Sequence, residues 1–154
     1  MNERVQTSEI QPAYRLARAA IERAAPRNNA RLTAARQDIL AVILEAGEAL
    51  SANDIQRRLL VPLNIVTIYR VLDWLESIGV VKRAADSAGV ARVLATVDGV
   101  SPVRFECDHC RRVVPLFGVT VPEVQGVPEG LSVTRTNVSL HGVCAQCSEA
   151  GRVG

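Results

Sequence analysis

Along the first half of the chain, apolar residues recur at the spacing of an α-helix. Ile10, Tyr14, Ala17, Ile21 and Ala24 form one stripe over about residues 8–25, stopped by Pro26. Thr33 is a good N-cap for a second helix reaching Ala46, with Ile39, Leu40, Ile43 and Leu44 inward and Gly47 at its end. Ser51 caps a third, with Ile55, Leu59 and Leu60 inward and Pro62 beyond it. Asn64 caps the fourth, which aligns Ile68, Val71, Leu72, Leu75 and Ile78 on one face and stops at Gly79. Two such helices joined by a short turn make a helix-turn-helix. The pattern then turns β-like. Residues 80–84 and 90–97 read as strands around the turn chemistry of Asp86-Ser87-Ala88-Gly89, which adds a wing.

Asp98-Gly99-Val100-Ser101-Pro102 breaks regular structure. It divides the chain into two expected domains, 1–97 and 98–154. The second part reads as short strands at 103–106, 113–117, 131–138 and 138–143. Pro122, Gly126, Pro128 and Gly130 leave room for only a short helix among them. The expected fold class is therefore α+β: an N-terminal winged helix-turn-helix domain, then a small α/β domain. A sheet that small does not bury enough surface alone, and a second copy of the chain would cover it.

Composition narrows the function. The chain has 154 residues, 48% hydrophobic and 22% charged, which is globular composition. Aromatic residues are 3%, so the core is aliphatic. A net charge of +2 neither requires nor excludes nucleic acid. No run approaches the roughly 20 apolar residues of a membrane helix. The first residues lack a secretory apolar stretch, so a cytoplasmic location without membrane contact is expected. No paired acid and base, nucleophile triad or phosphate loop stands out, so neither an enzyme nor a small-molecule substrate is expected.

In a reducing compartment, paired cysteines point to metal or redox chemistry. The four cysteines form two C-x-x-C knuckles, Cys107-Asp108-His109-Cys110 and Cys144-Ala145-Gln146-Cys147. Each knuckle offers two corners of a tetrahedron, and together they make a closed four-sulfur site for one structural Zn2+ per chain. Dithiol redox chemistry is the competing reading; it needs a motif at a helix start after a strand. Both motifs here are expected to follow strands. His109 lies inside the first knuckle and His141 just before the second, both outside the ligand set.

On the fourth helix, Val66, Arg70, Asp73 and Ser77 lie opposite the inward stripe, with Thr67 and Tyr69 on its flanks. Arg70 suits phosphate or guanine, Tyr69 a thymine methyl or phosphate, and Thr67 a phosphate near the positive helix end. The same face would also serve as the solvated side of a structural helix. Asp73 favours that reading, because an acid repels phosphate. Periodicity alone does not separate the two.

Three blocks resemble the ferric uptake regulator (Fur) family. They are Arg31-Leu32-Thr33-Ala34-Ala35-Arg36 with Ile39-Leu40, Ser51-Ala52-Asn53-Asp54-Ile55, and Thr67-Ile68-Tyr69-Arg70-Val71-Leu72 with Leu75, Gly79 and Val80. The resemblance spans about residues 31–147, and the doubled cysteine knuckle is part of it. It implies a DNA-binding transcription regulator, expected to be a repressor, that acts as a zinc-stabilised homodimer on a palindromic double-stranded operator. It also implies that Arg31 reaches the backbone or minor groove while Tyr69 and Arg70 work from the major-groove side. The expected DNA-binding set is Arg31, Arg36, Asn64, Val66, Thr67, Tyr69 and Arg70.

The chain departs from the family at the sensing ligands. Family members place His, Asp and Glu near the hinge and in the second domain. Here those positions align with Ala49, Leu94, residues 100–104, Pro115 and Thr136. Classical metal sensing is therefore not expected, unless relocated to His109, His141, Asp86, Asp98, Glu106 or Glu123. Two other functions stay open: an interaction protein that pairs with another Fur-type subunit, and a thiol switch that ejects zinc.

Overall fold

The computed structural model describes residues 7–24, 33–96, 103–121, 124–134 and 136–151; the side chains of 7–14 lie outside the description, Ile10 and Tyr14 among them. The chain forms two compact units, Met1–Ser101 and Pro102–Gly154. The first holds α1 (Thr7–Ala24), α2 (Ala34–Ala46), α3 (Ala52–Arg58), α4 (Ile65–Ser77), β1 (Val81–Ala85) and β2 (Ala91–Ala95). The second holds β3 (Val103–Cys107), β4 (Val113–Leu116), β5 (Ser139–Gly142) and α5 (Ala145–Glu149). Helix-turn-helix, wing and a small mixed unit follow in the expected order. The hinge residues 98–102 lie outside the described residues.

Local chemistry explains where the helices begin. Thr33 Oγ1 accepts from the Arg36 N–H at 3.4 Å. Ser51 and Asp54 form a reciprocal capping box: the Ser51 hydroxyl accepts from the Asp54 N–H at 3.2 Å, and the Asp54 carboxylate accepts from the Ser51 N–H at 3.0 Å. Asn64 Oδ1 accepts from the Val66 N–H at 2.8 Å. Each bond satisfies a donor the first helical turn leaves unpaired. Gly47 ends α2 at φ 61°, in the left-handed region that suits glycine.

The apolar faces of α2, α3 and α4 meet in one core with the hairpin. Ile39, Leu40, Leu50, Ile55, Ile68, Leu72, Leu75, Val81 and Val93 are all fully buried, and Ala17 and Ile21 of α1 join them. Each buried Leu or Ile side chain contributes about 1.5–3 kcal/mol. Two inward assignments fail. Leu60 is 67% exposed, because α3 ends at Arg58 and Leu59 turns to an extended backbone. Ala24, the last residue of α1, is exposed as well.

The wing is a two-stranded antiparallel hairpin in register from Val81↔Ala95 to Ala85↔Ala91. Its turn is built by Asp86, whose carboxylate accepts from the Ala88 and Val90 N–H groups at 3.0 and 2.8 Å. Reciprocal backbone bonds between Leu50 and Val93, at 3.1 and 2.8 Å, tie the chain between α2 and α3 to β2. Arg92 then bridges two acids, donating to Asp86 at 2.9 Å and to Asp54 at 3.0 Å. The capping box of α3 and the turn of the wing thus share one guanidinium.

In the second unit the strand order is β4-β3-β5, with β3 antiparallel to β4 and parallel to β5. The strand expected at 131–138 is not formed; β5 starts at Ser139. The segment meets no partner strand among the described residues, and strand formation depends on the neighbour more than on intrinsic preference. Between β4 and β5 no helix is present among the described residues.

The Asp54 carboxyl carries opposing influences. Burial works to raise it, but bonds from the Ser51 hydroxyl and N–H and from Arg57, with the Arg92 charge, outweigh burial and hold it at about 2 against an ordinary 3.8. A depressed carboxylate stabilises the fold above its unfolded pKa, and that contribution is lost as pH falls through the folded value. Asp54→Asn is therefore expected to lower stability at pH 6 by about 1–3 kcal/mol, the loss typical of a charged hydrogen-bond partner. The gap to wild type should close as pH falls from 3.8 toward about 2. Denaturation followed by helical circular dichroism at several pH values checks both parts.

Candidate nucleic-acid interface and metal centre

The buried stripe of α4 fixes which side faces outward. With Ile68, Val71, Leu72 and Leu75 in the core, Val66, Tyr69, Arg70 and Asp73 are exposed and Thr67 is half-buried. Val66 is 53% and Tyr69 48% exposed. The turn leading into α4 is held by Gln56, whose amide donates to the Leu63 carbonyl at 2.9 Å. Asn64, placed in the DNA-binding set, has its side-chain oxygen engaged in the helix cap.

Asp73 does not stand as an open negative charge. Arg83 of β1 donates to Asp73 at 2.6 Å and to Glu76 at 2.8 Å. Burial works to lower the Arg83 pKa, but these two carboxylates outweigh it and raise it. One guanidinium shared by two carboxylates offsets the Asp73 charge in part, which weakens its repulsion of phosphate. Arg70 lies one turn before Asp73 on the same exposed face, and no ion pair among the described residues engages it.

Arg36 is placed differently from the rest of the expected set. Its guanidinium lies over the Trp74 ring, 3.6 Å from the centroid, and is half-buried. Burial lowers its pKa. A stacked guanidinium joins α2 to α4 and still presents an edge for hydrogen bonding. Arg31 lies outside the described residues. Sequence reasoning missed the Arg36–Trp74 stack, the Arg83 clamp and the Arg92 bridge. A lone Trp was the one signal for the first. The other two join residues 10 and 38 positions apart, which no periodicity encodes.

The four cysteines converge. All four Sγ atoms lie within 4.8 Å of one another, and this is the one group of three or more metal-ligating side chains among the described residues. Two hairpin-like approaches build it: β3 delivers Cys107, and β5, paired with β3 through Cys107↔Gly142, delivers Cys144. The Asp108 N–H donates to the Gly142 carbonyl at 2.8 Å, locking the first knuckle to the end of β5. Cys110 and Cys144 Sγ are 3.7 Å apart. Zinc–thiolate bonds of about 2.3 Å at tetrahedral angles imply sulfurs about 3.8 Å apart, so the donor set fits that ion. A disulfide needs about 2.05 Å, far closer than this pair.

Cys107 and Cys147 are buried, Cys110 exposed and Cys144 half-buried. Backbone N–H groups of Cys110 and Cys144 point at Cys107 Sγ, the latter at 3.4 Å, and hold that thiol down to about 6. Burial, followed by hydrogen bonds to the neighbouring sulfurs, pushes the Cys147 thiol up. The second knuckle also corrects an expectation: Cys144 caps α5, so this motif does open a helix after a strand. What disfavours dithiol chemistry is the gathering of four sulfurs into one cluster. His141 Nδ1 lies 3.7 Å from Asp108, and both are exposed.

Among the described residues, the positions aligned with the family's sensing ligands carry no cluster. Ala49 and Leu94 are each 4% exposed, and Pro115 lies within β4. Thr136 is exposed, and Val103 and Arg104 start β3. Asp86 is engaged with Arg92, and Glu106 lies 3.9 Å from Arg111. Asp98 and Glu123 lie outside the described residues.

Comparison with known proteins agrees with this architecture. The model of the ferric uptake regulator family matches residues 27–141. No curated protein matches the chain. Among solved structures, holo XcZur is 26% identical, with a TM-score of 0.60, covering 88% of this chain and 99% of its own. A zinc uptake regulator complexed with zinc and DNA is 23% identical, TM-score 0.60, covering 93% and 97%. The Vibrio cholerae ferric uptake regulator is 18% identical, TM-score 0.56, covering 82% and 98%.

One backbone feature of the first knuckle is testable. Arg111, directly after Cys110, sits at φ 60°. That region costs a residue with a side chain roughly 1–2 kcal/mol, least for Asn and most for β-branched residues. Arg111→Val is expected to weaken the knuckle by at least about 1 kcal/mol relative to Arg111→Asn. Chelator competition, reading the metal each variant retains, would measure the difference.

Proposed function

Because the chain belongs to the ferric uptake regulator family, a family of transcription regulators, we propose that it binds operator DNA through the exposed face of α4 and regulates transcription from there. The observation that carries this is the face itself: Arg70, Tyr69 and Val66 stand clear of the core, and Arg83 offsets part of the Asp73 charge. In this reading Val66, Thr67, Tyr69 and Arg70 meet the major groove. Asn64 sets the helix start, and Arg31 and Arg36 approach the backbone. The two units, Met1–Ser101 and Pro102–Gly154, then serve as DNA-binding and dimerisation domains.

The second unit takes one Zn2+ on Cys107, Cys110, Cys144 and Cys147, a set supported by the sulfur spacing and the burial of two of the thiols. A bound zinc compensates thiolate charge that burial otherwise disfavours. It thereby contributes folding energy to a unit that buries few of its apolar side chains. A homodimer suits the exposed apolar side chains there, among them Phe117, Val124, Leu131 and Val133. A twofold dimer pairs naturally with a palindromic operator, and repression follows if that operator overlaps a promoter. Among the described residues no helix is long and apolar enough to cross a membrane. The free thiols suit a reducing cytoplasm.

Control by exchangeable metal is not part of this reading. The family's sensing positions align here with hydrocarbon at Ala49, Leu94 and Pro115. A ligand shifts a conformational balance only through differential binding to the two states, which these side chains do not offer a cation.

The zinc assignment predicts one zinc per purified chain by elemental analysis. Cys144→Ser should release it, with loss of ordered structure in the second unit. Folded wild-type protein without zinc would contradict the assignment.

The DNA assignment predicts that Arg70→Ala weakens binding to upstream DNA of the protein's own gene by about 1–3 kcal/mol without lowering the melting temperature. Affinity should stay within tenfold, about 1.4 kcal/mol, when iron, manganese or further zinc is added. Gel-shift titrations read both. A larger gain on adding metal would show a sensor at other residues, and equal binding by Arg70→Ala would remove α4 from the interface.

A further inference from the structure

The exposed large apolar side chains of the first unit are unevenly placed. Among its described residues, Leu60, Val61, Val66 and Tyr69 lie at the turn before α4 and on the first turns of that helix. The others, Leu16 and Val90, are isolated. Exposed apolar side chains concentrated on one functional face are more informative than single ones. Val66 is not in the core, and an Ala there would propagate the helix at least as well. Its position is instead tied to Arg70: four residues on, it lies on the same face, one helical turn away.

The major groove offers side chains mainly hydrogen-bonding groups; the C5-methyl of thymine is its one apolar projection. Resting on the DNA-binding reading of α4, we propose that Val66 is a specificity-determining residue that packs on a thymine methyl beside the site held by Arg70. A rise of about 1.5 Å per residue puts Val66 about 6 Å from Arg70 along the helix. With base pairs about 3.4 Å apart, that thymine lies within two base pairs of the guanine that Arg70 meets. Tyr69, on the flank between them, adds a hydroxyl that bonds a phosphate or base edge.

The test uses the full-length protein and a pool of randomised duplexes. Wild type is expected to enrich sites with guanine and thymine at most two base pairs apart. Replacing that thymine by deoxyuridine removes only the methyl group, and should weaken wild-type binding threefold or more. Val66→Ala should melt as wild type does and bind thymine and deoxyuridine sites equally, while still preferring the guanine. If deoxyuridine leaves wild-type affinity unchanged, or if Val66→Ala keeps the full methyl preference, the proposal fails while DNA binding stands. A methyl preference lost only in Tyr69→Ala also overturns it, assigning the contact to Tyr69. If no sequence is enriched at all, the DNA-reading assignment itself falls, and the proposal with it.

Discussion

The proposed DNA-reading face depends on the burial of one side of α4. Ile68, Val71, Leu72 and Leu75 give that helix a single stable orientation, because turning it would expose four large aliphatic side chains. Every outward residue inherits its position from that constraint. The polar fastenings refine it. Arg36 lies on Trp74, Arg83 holds the far end of the helix to the wing, and Gln56 fixes the turn that precedes it. Such contacts add little to stability individually at exposed sites, yet they restrict the angle at which the face is presented.

The first unit was legible because its signals are local. Helix periodicity, three side-chain caps at Thr33, Ser51 and Asn64, and the Asp86–Gly89 turn each sit within a few residues of the structure they produce. The misreadings fall where periodicity meets a boundary. Leu60 continues the apolar spacing of α3, but the backbone has left the helix at Leu59, so the spacing no longer carries facing. The ion pairs that fasten the wing were invisible for the opposite reason: Arg92 and Asp54 meet only after the whole unit has closed.

The second unit divides along the same line. C-x-x-C spacing is local chemistry, and the convergence of both knuckles follows from two neighbouring strands, β3 and β5, each ending in one. The short helix after Cys144 went unread because Ala145-Gln146-Cys147-Ser148-Glu149 is too brief to show a period. The expected strand at 131–138 has some of the alternation of a strand but meets no partner among the described residues, and β-structure depends on the neighbour more than on intrinsic preference. An isolated chain therefore leaves Leu131 and Val133 in water.

The pairing of arginines with acids has a further consequence. Arg57, Arg58, Arg83 and Arg92 are each committed to a carboxylate, on Asp54, Glu48, Asp73 with Glu76, and Asp54 with Asp86 respectively. A cation already neutralised by the protein displaces few ions from a nucleic acid's condensed atmosphere. Each phosphate contact made by an uncommitted cation steepens the dependence of affinity on salt by about one power of concentration. The four arginines so paired add little to the salt slope of this helical unit, which its other cations set. What the paired four contribute is the shape and fixed presentation of the surface, which screening by salt weakens less at the half-buried Arg83 and Arg92 than at the exposed Arg57.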